Sequence, residues 1–274
     1  MVETLKGRRK SNWFLEQIIS TADQDLDSRL VQHMLQAPLS DGGQYDMVFN
    51  LVERYGLVPQ SVYPDSFNAK ASSVINSIIF TKLREDALTL RKLLKSPSIT
   101  AEALSSAKTK MVKEVHTILT LTLGPPPAVD KEFTWSFLDK DGKAKTVKTL
   151  PKDFAGDIYS SQCRVTYNSI SSLVSLVHDP RHEPLTLLTV DRLGNIVGGR
   201  DVTYINVSMS TLKKACIAML KAGLPVFFGS DVGKFSNSKS GIMDLDLIDY
   251  ELGFNVSLLG MDKAARLRTS ESAM

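Results

Sequence analysis

The sequence predicts an α+β fold, and three patterns carry that expectation. Two long runs in the first half, from Asn76 to Leu94 and from Thr100 to Leu123, repeat their apolar residues at helical spacing. Two short runs between Phe133 and Thr149 alternate with period two across a turn. A further helix-like run, Thr211 to Gly223, feeds the apolar segment Val226-Phe-Phe228. Leu212, Ala215, Cys216, Met219 and Leu220 mark its face, Gly223 is placed to end it, and Pro225 cannot continue it. Val226 to Phe228 then reads as a strand buried on both faces. Gly229 breaks that strand where a ligand's backbone can pass close, and Asp231 to Lys234 reads as a turn. Core strand plus surface turn is the plain reading of this stretch.

Composition sets the outer limits. Of 274 residues, 43% are hydrophobic and 23% charged, which suits a globular chain and not a disordered one. No apolar run approaches the ~20 residues that a membrane span needs, so no membrane partner is expected. The first ten residues lack the apolar stretch of a secretory signal. Cys163 and Cys216 allow at most one disulfide, and Cys216 falls on the apolar face of its helix. A buried free thiol and a reducing, cytoplasmic setting are therefore expected. The net charge of +3 implies no nucleic-acid partner by itself. Between Lys82 and Lys152, however, 14 Lys/Arg face 8 Asp/Glu. A solvated surface is the plainer reading, and a basic wall toward nucleic acid or an acidic ligand is the alternative.

In chain order, Trp13 to Leu35 reads as one or two helices, with His33 structural because no metal-ligand partner lies at helical spacing. Asp41-Gly-Gly43 opens a helix whose face is Met47, Val48, Leu51, Val52 and Tyr55, closed by Gly56. Paired glycines there make a tight turn or let another chain lie against bare backbone. Ser98 or Thr100 caps the second long helix, and Gly124-Pro-Pro-Pro127 stops it. Asp139-Lys-Asp-Gly142 turns the hairpin, and Leu150 to Tyr159 forms a short helix with Pro151 in its first turn. Leu173 to Val177, Leu187 to Val190 and Val202 to Val207 are strands. His178, Asp179, His182 and Glu183 lie close together, but the prolines around them favour a turn over a metal site. The glycines of Leu193 to Gly199 fit no phosphate loop, and Asp244, Asp246 and Asp249 read as an exposed face. No catalytic constellation can be assembled, and no cofactor or metal is expected.

Four stretches carry a resemblance. They are Ser11-Asn-Trp-Phe-Leu-Glu-Gln-Ile-Ile19; Asp41-Gly-Gly-Gln-Tyr-Asp-Met47 with Leu51 to Pro59; Val190-Asp-Arg-Leu-Gly-Asn-Ile-Val-Gly-Gly199; and Pro225 to Lys234 with Asn237 to Lys239. Together the chain from about residue 11 to 274 resembles the bleomycin hydrolase family, cysteine aminopeptidases of the papain superfamily. The resemblance implies a papain-like fold, a helical half plus a β half, with a helical insertion and a hairpin arm. On it, residues 1–75 belong to the helical half, 76–132 to the insertion, 133–160 to the arm and short helix, and 161–274 to the β half. It implies peptide substrates, hydrolysis of the bleomycin amide, a homohexameric barrel, and a basic channel that gives the Lys-rich stretch a possible nucleic-acid role. It also implies substrate-binding positions: Gly43, whose main chain bonds an extended peptide, flanked by Gly42 and Gln44, and Gly229 at the side-chain pocket. The family's catalytic Cys, oxyanion Gln, His and Asn match no residue of this chain, so neither Cys163 nor Cys216 is the nucleophile. The fold is expected to be incomplete at both ends and the chain, as given, to be without peptidase turnover. A fragment or incomplete gene model is expected ahead of a shortened, non-catalytic relative that keeps oligomerisation or nucleic-acid surfaces.

Overall fold

The computed structural model describes residues 2–39, 42–156, 171–230 and 235–269. Cys163, the end of the short helix after residue 156, the turn at 231–234, and Asp41 lie outside the described residues. The chain forms two compact units. One comprises residues 1–173 and 189–203, the other 174–188 and 204–274.

The first unit is built on four helices: α1 (Val2–Ser20), α2 (Arg29–Gln36), α5 (Ser73–Leu94) and α6 (Ala101–Leu123). Helix α5 buries Ile75, Ile79, Leu83, Ala87 and Leu90, spaced by three or four, against Leu15 and Ile18 of α1 and Val115 and Leu119 of α6. Of the two caps expected for α6, Thr100 is the one used, its side chain accepting from the Ala103 N–H at 3.1 Å. Helix α1 starts well before Trp13, so residues 2–10 are helical too. Two charged groups sit inside this helical core. Asp86 is 2% exposed and pairs with Lys82 at 2.6 Å, which also reaches Glu114 at 2.7 Å. Burial pushes the Asp86 carboxyl above its ordinary range. Arg91 donates from Nη1 to the Thr21 carbonyl at 2.9 Å, tying α5 to the turn after α1.

Between these lie α3 (Tyr45–Tyr55) and the one-turn α4 (Phe67–Lys70). Gly56 ends α3 with φ +70°, and a Cβ there would stand 2.1 Å from the Pro151 backbone. Only glycine permits that crossing of α3 and α7 (Pro151–Ala155). The hairpin is as expected: β1 (Phe133–Leu138) pairs antiparallel with β2 (Ala144–Thr149), from Phe133↔Thr149 to Leu138↔Ala144. Trp135 stacks on Phe137 at 4.1 Å, and Phe154 of α7 meets Trp135 edge-on at 5.5 Å, which fixes the hairpin to the short helix.

In the second unit β3 (Ser175–Val177) pairs parallel with β5 (Thr203–Asn206), and β4 (Leu187–Thr189) lies on the other side of β5. Helix α8 (Met209–Lys221) is capped by Ser208, followed by the small ladder of β6 (Ser236–Asn237) and β7 (Ile242–Met243), then α9 (Tyr250–Phe254) and α10 (Lys263–Arg268). Two expectations fail here. Residues 226–228 form no strand, and Phe227 and Phe228 are 94% and 76% exposed. Cys216 is half-buried, not buried, on a helix with no buried residue. The apolar pattern is real, but the second unit supplies no layer to cover it: its buried hydrophobic residues, among those described, are Val207 and Phe235. No helix among the described residues is long and apolar enough to cross a membrane.

The helical core has a direct test. Leu83 is fully buried, so Leu83→Ala should lower the unfolding free energy by about 2–5 kcal/mol. Urea unfolding followed by helical circular dichroism measures it, and a change well under 1 kcal/mol would show that α5 is not the centre of the core.

Candidate functional site

Gly42, Gly43 and Gln44 form one continuous edge at the start of α3. Gln44 is the N-cap, with extended backbone (φ −99°, ψ 165°), and its side chain makes no cap bond. Its Oε1 is buried without a partner. Both glycines are exposed, and neither has a positive φ. A Cβ on Gly42 would meet nothing within 4 Å, and one on Gly43 only the Met47 sulfur at 4.0 Å. Among the described residues, therefore, nothing requires glycine at either position. Neither residue uses its backbone N–H or C=O on another described residue, so a strip of main chain is open for pairing.

The edge is held from behind. Helix α3 turns Asp46, Met47, Asn50 and Leu51 inward, and the segment 192–203 packs on that face. Asn50 Nδ2 donates to Asn195 Oδ1 at 3.2 Å and to the Arg200 carbonyl at 2.9 Å, while Asn50 Oδ1 accepts from the Arg200 N–H at 2.8 Å. Asn195, 1% exposed, donates to the Met47 carbonyl at 2.7 Å. Asp46 accepts from the Thr203 N–H at 3.1 Å and stands 3.6 Å from the Arg200 guanidinium, which lies over the Phe49 ring at 3.9 Å. Arg192 ties the same segment to α1 through Gln17 at 2.6 Å and Ser20 at 2.7 Å. Gly199 passes so close to Asn50 that a Cβ would lie 2.9 Å from Nδ2. Gly194, where a Cβ would lie 2.8 Å from the Trp13 indole nitrogen, and Gly199, both read from the sequence only as part of a non-phosphate loop, thus have packing roles, while Gly198 takes a positive φ of 72° with nothing close by. Sequence reading missed Asp46, Asn50, Asn195 and Arg200. The available signal was Asn50 itself, a polar residue on the stripe shared with Met47 and Leu51.

Gly229 belongs to the second unit. It is exposed, and a Cβ would meet nothing within 4 Å. The loop 178–184, in the same unit, is a turn organised by Asn206. Its Oδ1 accepts from the Asp179 N–H at 2.8 Å and its Nδ2 donates to the carbonyls of Asp179, His182 and Glu183. Asp179 is engaged by Arg181 at 2.6 Å, which brings its carboxyl down to about 2. Among the described residues no group of three His, Cys, Asp or Glu side chains could hold a metal ion. In the Lys-rich stretch, Lys82, Lys108, Lys145 and Lys148 are engaged in ion pairs with nearby carboxylates.

Two outcomes follow from this geometry. Asn50→Leu strands the Arg200 amide and carbonyl and the Asn195 oxygen, so stability should fall by about 2–4 kcal/mol, with faster amide exchange at Arg200. An unchanged urea midpoint would mean the segment docks without these bonds. The Asp179 carboxyl is depressed from 3.8 to about 2, so its pairing stabilises the turn fully above its unfolded value and less as pH falls through the folded one. In Arg181→Ala, a carboxyl ¹³C titration should return Asp179 to near its ordinary range; a midpoint still near 2 would assign the shift to the backbone instead.

Comparison with known proteins places these elements. Residues 7–274 match the Peptidase C1-like family. Cysteine proteinase 1, mitochondrial, of Saccharomyces cerevisiae is 43% identical over 97% of this chain and 53% of its own length. Aminopeptidase C of Streptococcus thermophilus is 40% identical over 97% of this chain and 58% of its own length. Human bleomycin hydrolase is 39% identical over 96% of this chain and 57% of its own length. The crystal structure of PepW from Lactobacillus rhamnosis superposes with a TM-score of 0.87 at 36% identity, covering 98% of this chain and 59% of that one. The chain spans between half and three-fifths of the length of these relatives. With the α+β fold, the shared backbone and a match over nearly its whole length, the chain belongs to the Peptidase C1-like family.

Proposed function

We propose that this chain is the substrate-docking part of a cysteine-type aminopeptidase, and that Gly42, Gly43 and Gln44 receive an extended peptide by main-chain pairing. One observation carries the reading. Among the described residues, two adjacent glycines stand exposed with no backbone partner and with no conformational or steric need for glycine. A peptide laid along that edge gives the missing side chains a purpose, because a Cβ facing outward would hold the strand away. Relatives named as aminopeptidase C and bleomycin hydrolase fit a substrate with amide bonds near a free N-terminus. Gly229, in the second unit, is assigned to a substrate side-chain pocket on the family resemblance.

Thiolate attack on an amide needs a cysteine within hydrogen-bond reach of an imidazole. No hydrogen bond or ion pair joins Cys216 to a histidine among the described residues, and the proposed role is binding, without turnover by this chain alone. The reading includes assembly of copies into a homohexamer. A reducing, cytoplasmic compartment is part of it, favoured by the free thiol of Cys216.

Two measurements test it. The purified chain should release no fluorophore from aminoacyl-coumarin substrates; turnover abolished by a thiol alkylator would overturn the non-catalytic part. Titrating a short free-amine peptide into the ¹⁵N-labelled chain should shift the Gly42, Gly43 and Gln44 amides, and Gly43→Leu should weaken binding at least about tenfold. Shifts confined to other residues would remove the docking role.

A further inference from the structure

We infer that the groove between α2 and α5 is a docking site for an acidic peptide segment of another protein, one with carboxylates on either side of an apolar pair. The groove lies within the first unit, and the inference is independent of the role given to Gly42, Gly43 and Gln44.

Helix α2 uses both of its faces. Val31 and Met34 go into the helical core. The stripe of Arg29, Gln32, His33 and Gln36, spaced by three and four, lines a groove of 720 Å³ whose other wall is Arg84 and Leu88 of α5. Leu26 stands just ahead of α2, while Arg84 is bonded to the last carbonyls of α2, so the two mark opposite ends of the groove. Leu26 and Leu88 are 37% and 50% exposed. A site for a small ligand buries about 70–90% of its occupant. This open trough suits a polypeptide laid along it instead.

Charge names the occupant. Two guanidinium groups and the His33 imidazole line the groove, and among the described residues no carboxylate does. Asp25, Asp27 and Glu85 are neighbours in sequence but lie off the lining. Elsewhere in the first unit Lys82, Lys108 and Lys148 each have a carboxylate partner. Arg29 and Arg84 have none among the described residues. Unbalanced cations beside half-exposed leucines complement a ligand that is both anionic and apolar.

The walls are already in place. Arg84 donates from Nε to the Leu35 carbonyl at 2.8 Å and from Nη2 to the Gln36 carbonyl at 2.9 Å, which fixes its guanidinium at the end of α2. Gln32 Nε2 donates to the Leu26 carbonyl at 2.9 Å and holds the approach to α2 against the helix. Such fixed walls lower the ordering cost of binding. From Arg29 to Gln36 the helix rises about 10 Å. An extended peptide covers about 10 Å in three residue steps. Acids three positions apart therefore reach Arg29 and Arg84, with the pair between them against Leu88.

The test uses the whole chain and the peptide Glu-Leu-Leu-Glu, carrying fluorescein at its N-terminus and an amide at its C-terminus, so that it has no free amine. Its anisotropy should rise saturably with added protein, and Gln-Leu-Leu-Gln should bind at least about tenfold more weakly. Arg29→Gln should weaken binding at least about tenfold, and Leu88→Gln should do so independently. Helical circular dichroism should stay unchanged in both, because both side chains are exposed. Lys110→Gln removes the same charge from an exposed position on α6 and should leave the affinity intact. Absence of saturation, equal affinity for the two peptides, or equal loss in Lys110→Gln would overturn the inference. Octanoate competing at the same concentration as the peptide would also overturn it, by making the occupant a simple amphiphilic carboxylate. So would self-association of the free chain that Arg29→Gln abolishes, since the groove would then be a contact between copies.

Discussion

The Asn50 carboxamide is the interaction on which the candidate site depends. It makes three hydrogen bonds to a segment about 150 residues away in sequence, two to the Arg200 backbone and one to Asn195. The segment 190–203 buries only Ile196 and Val202 as hydrophobic residues, worth about 3–6 kcal/mol together. That attraction has no direction and would tolerate several placements. The hydrogen bonds do not, because each buried group left unpaired costs about 1–3 kcal/mol. Apolar burial therefore brings the segment to α3, and the asparagine pair selects the register. Since Asn195 also grips the Met47 carbonyl, one turn inside α3, the same lock holds the helix end that presents Gly42 to Gln44.

What was legible in the sequence follows from this division of labour. Helices α5 and α6, the hairpin and its turn, the Thr100 cap and the Gly56 stop all arise from neighbours in the chain, and periodicity or turn chemistry reports such neighbours directly. The α+β class followed from them, whereas the family followed from the resemblance of four other stretches, at 11–19, 41–59, 190–199 and 225–239. The network at Asn50 was not legible, because its partners come together only when residues 50, 195 and 200 fold onto each other. A single asparagine on an apolar stripe looks like an imperfection until its acceptors are in place. The segment Val226 to Phe228 shows the opposite error. Its apolar pattern was read as burial, but a pattern states which face seeks cover and not whether cover is present.

The two units show how much that difference matters. In the first, four helices share one core, strong enough to hold a carboxylate at Asp86 by supplying Lys82 beside it. In the second, order comes from polar devices. Asn206 ties a loop through four hydrogen bonds, Ser208, Asp249 and Asp262 cap helices, and Lys263 donates to the His178 carbonyl at 2.7 Å. Such bonds define local shape but contribute only about 1 kcal/mol each, so they cannot replace a buried core.

An open strip of main chain is a liability in any fold, since unpaired N–H and C=O groups invite the wrong partner as readily as the right one. Proteins usually blunt such an edge with charge, proline or a bulge. Gly42 and Gly43 themselves carry neither charge nor proline ring; the strip is short, without side chains, and anchored at Gln44 to a helix whose inward face is locked. Shortness limits what an unrelated strand gains by pairing, because each added bond is worth little. Rigidity behind the edge lowers the ordering entropy that the intended peptide must overcome. A loose glycine pair would be merely a turn. A glycine pair held in place by a buried asparagine network suits the docking role proposed for it, so that proposal leans on the Asn50 lock more than on the glycines themselves.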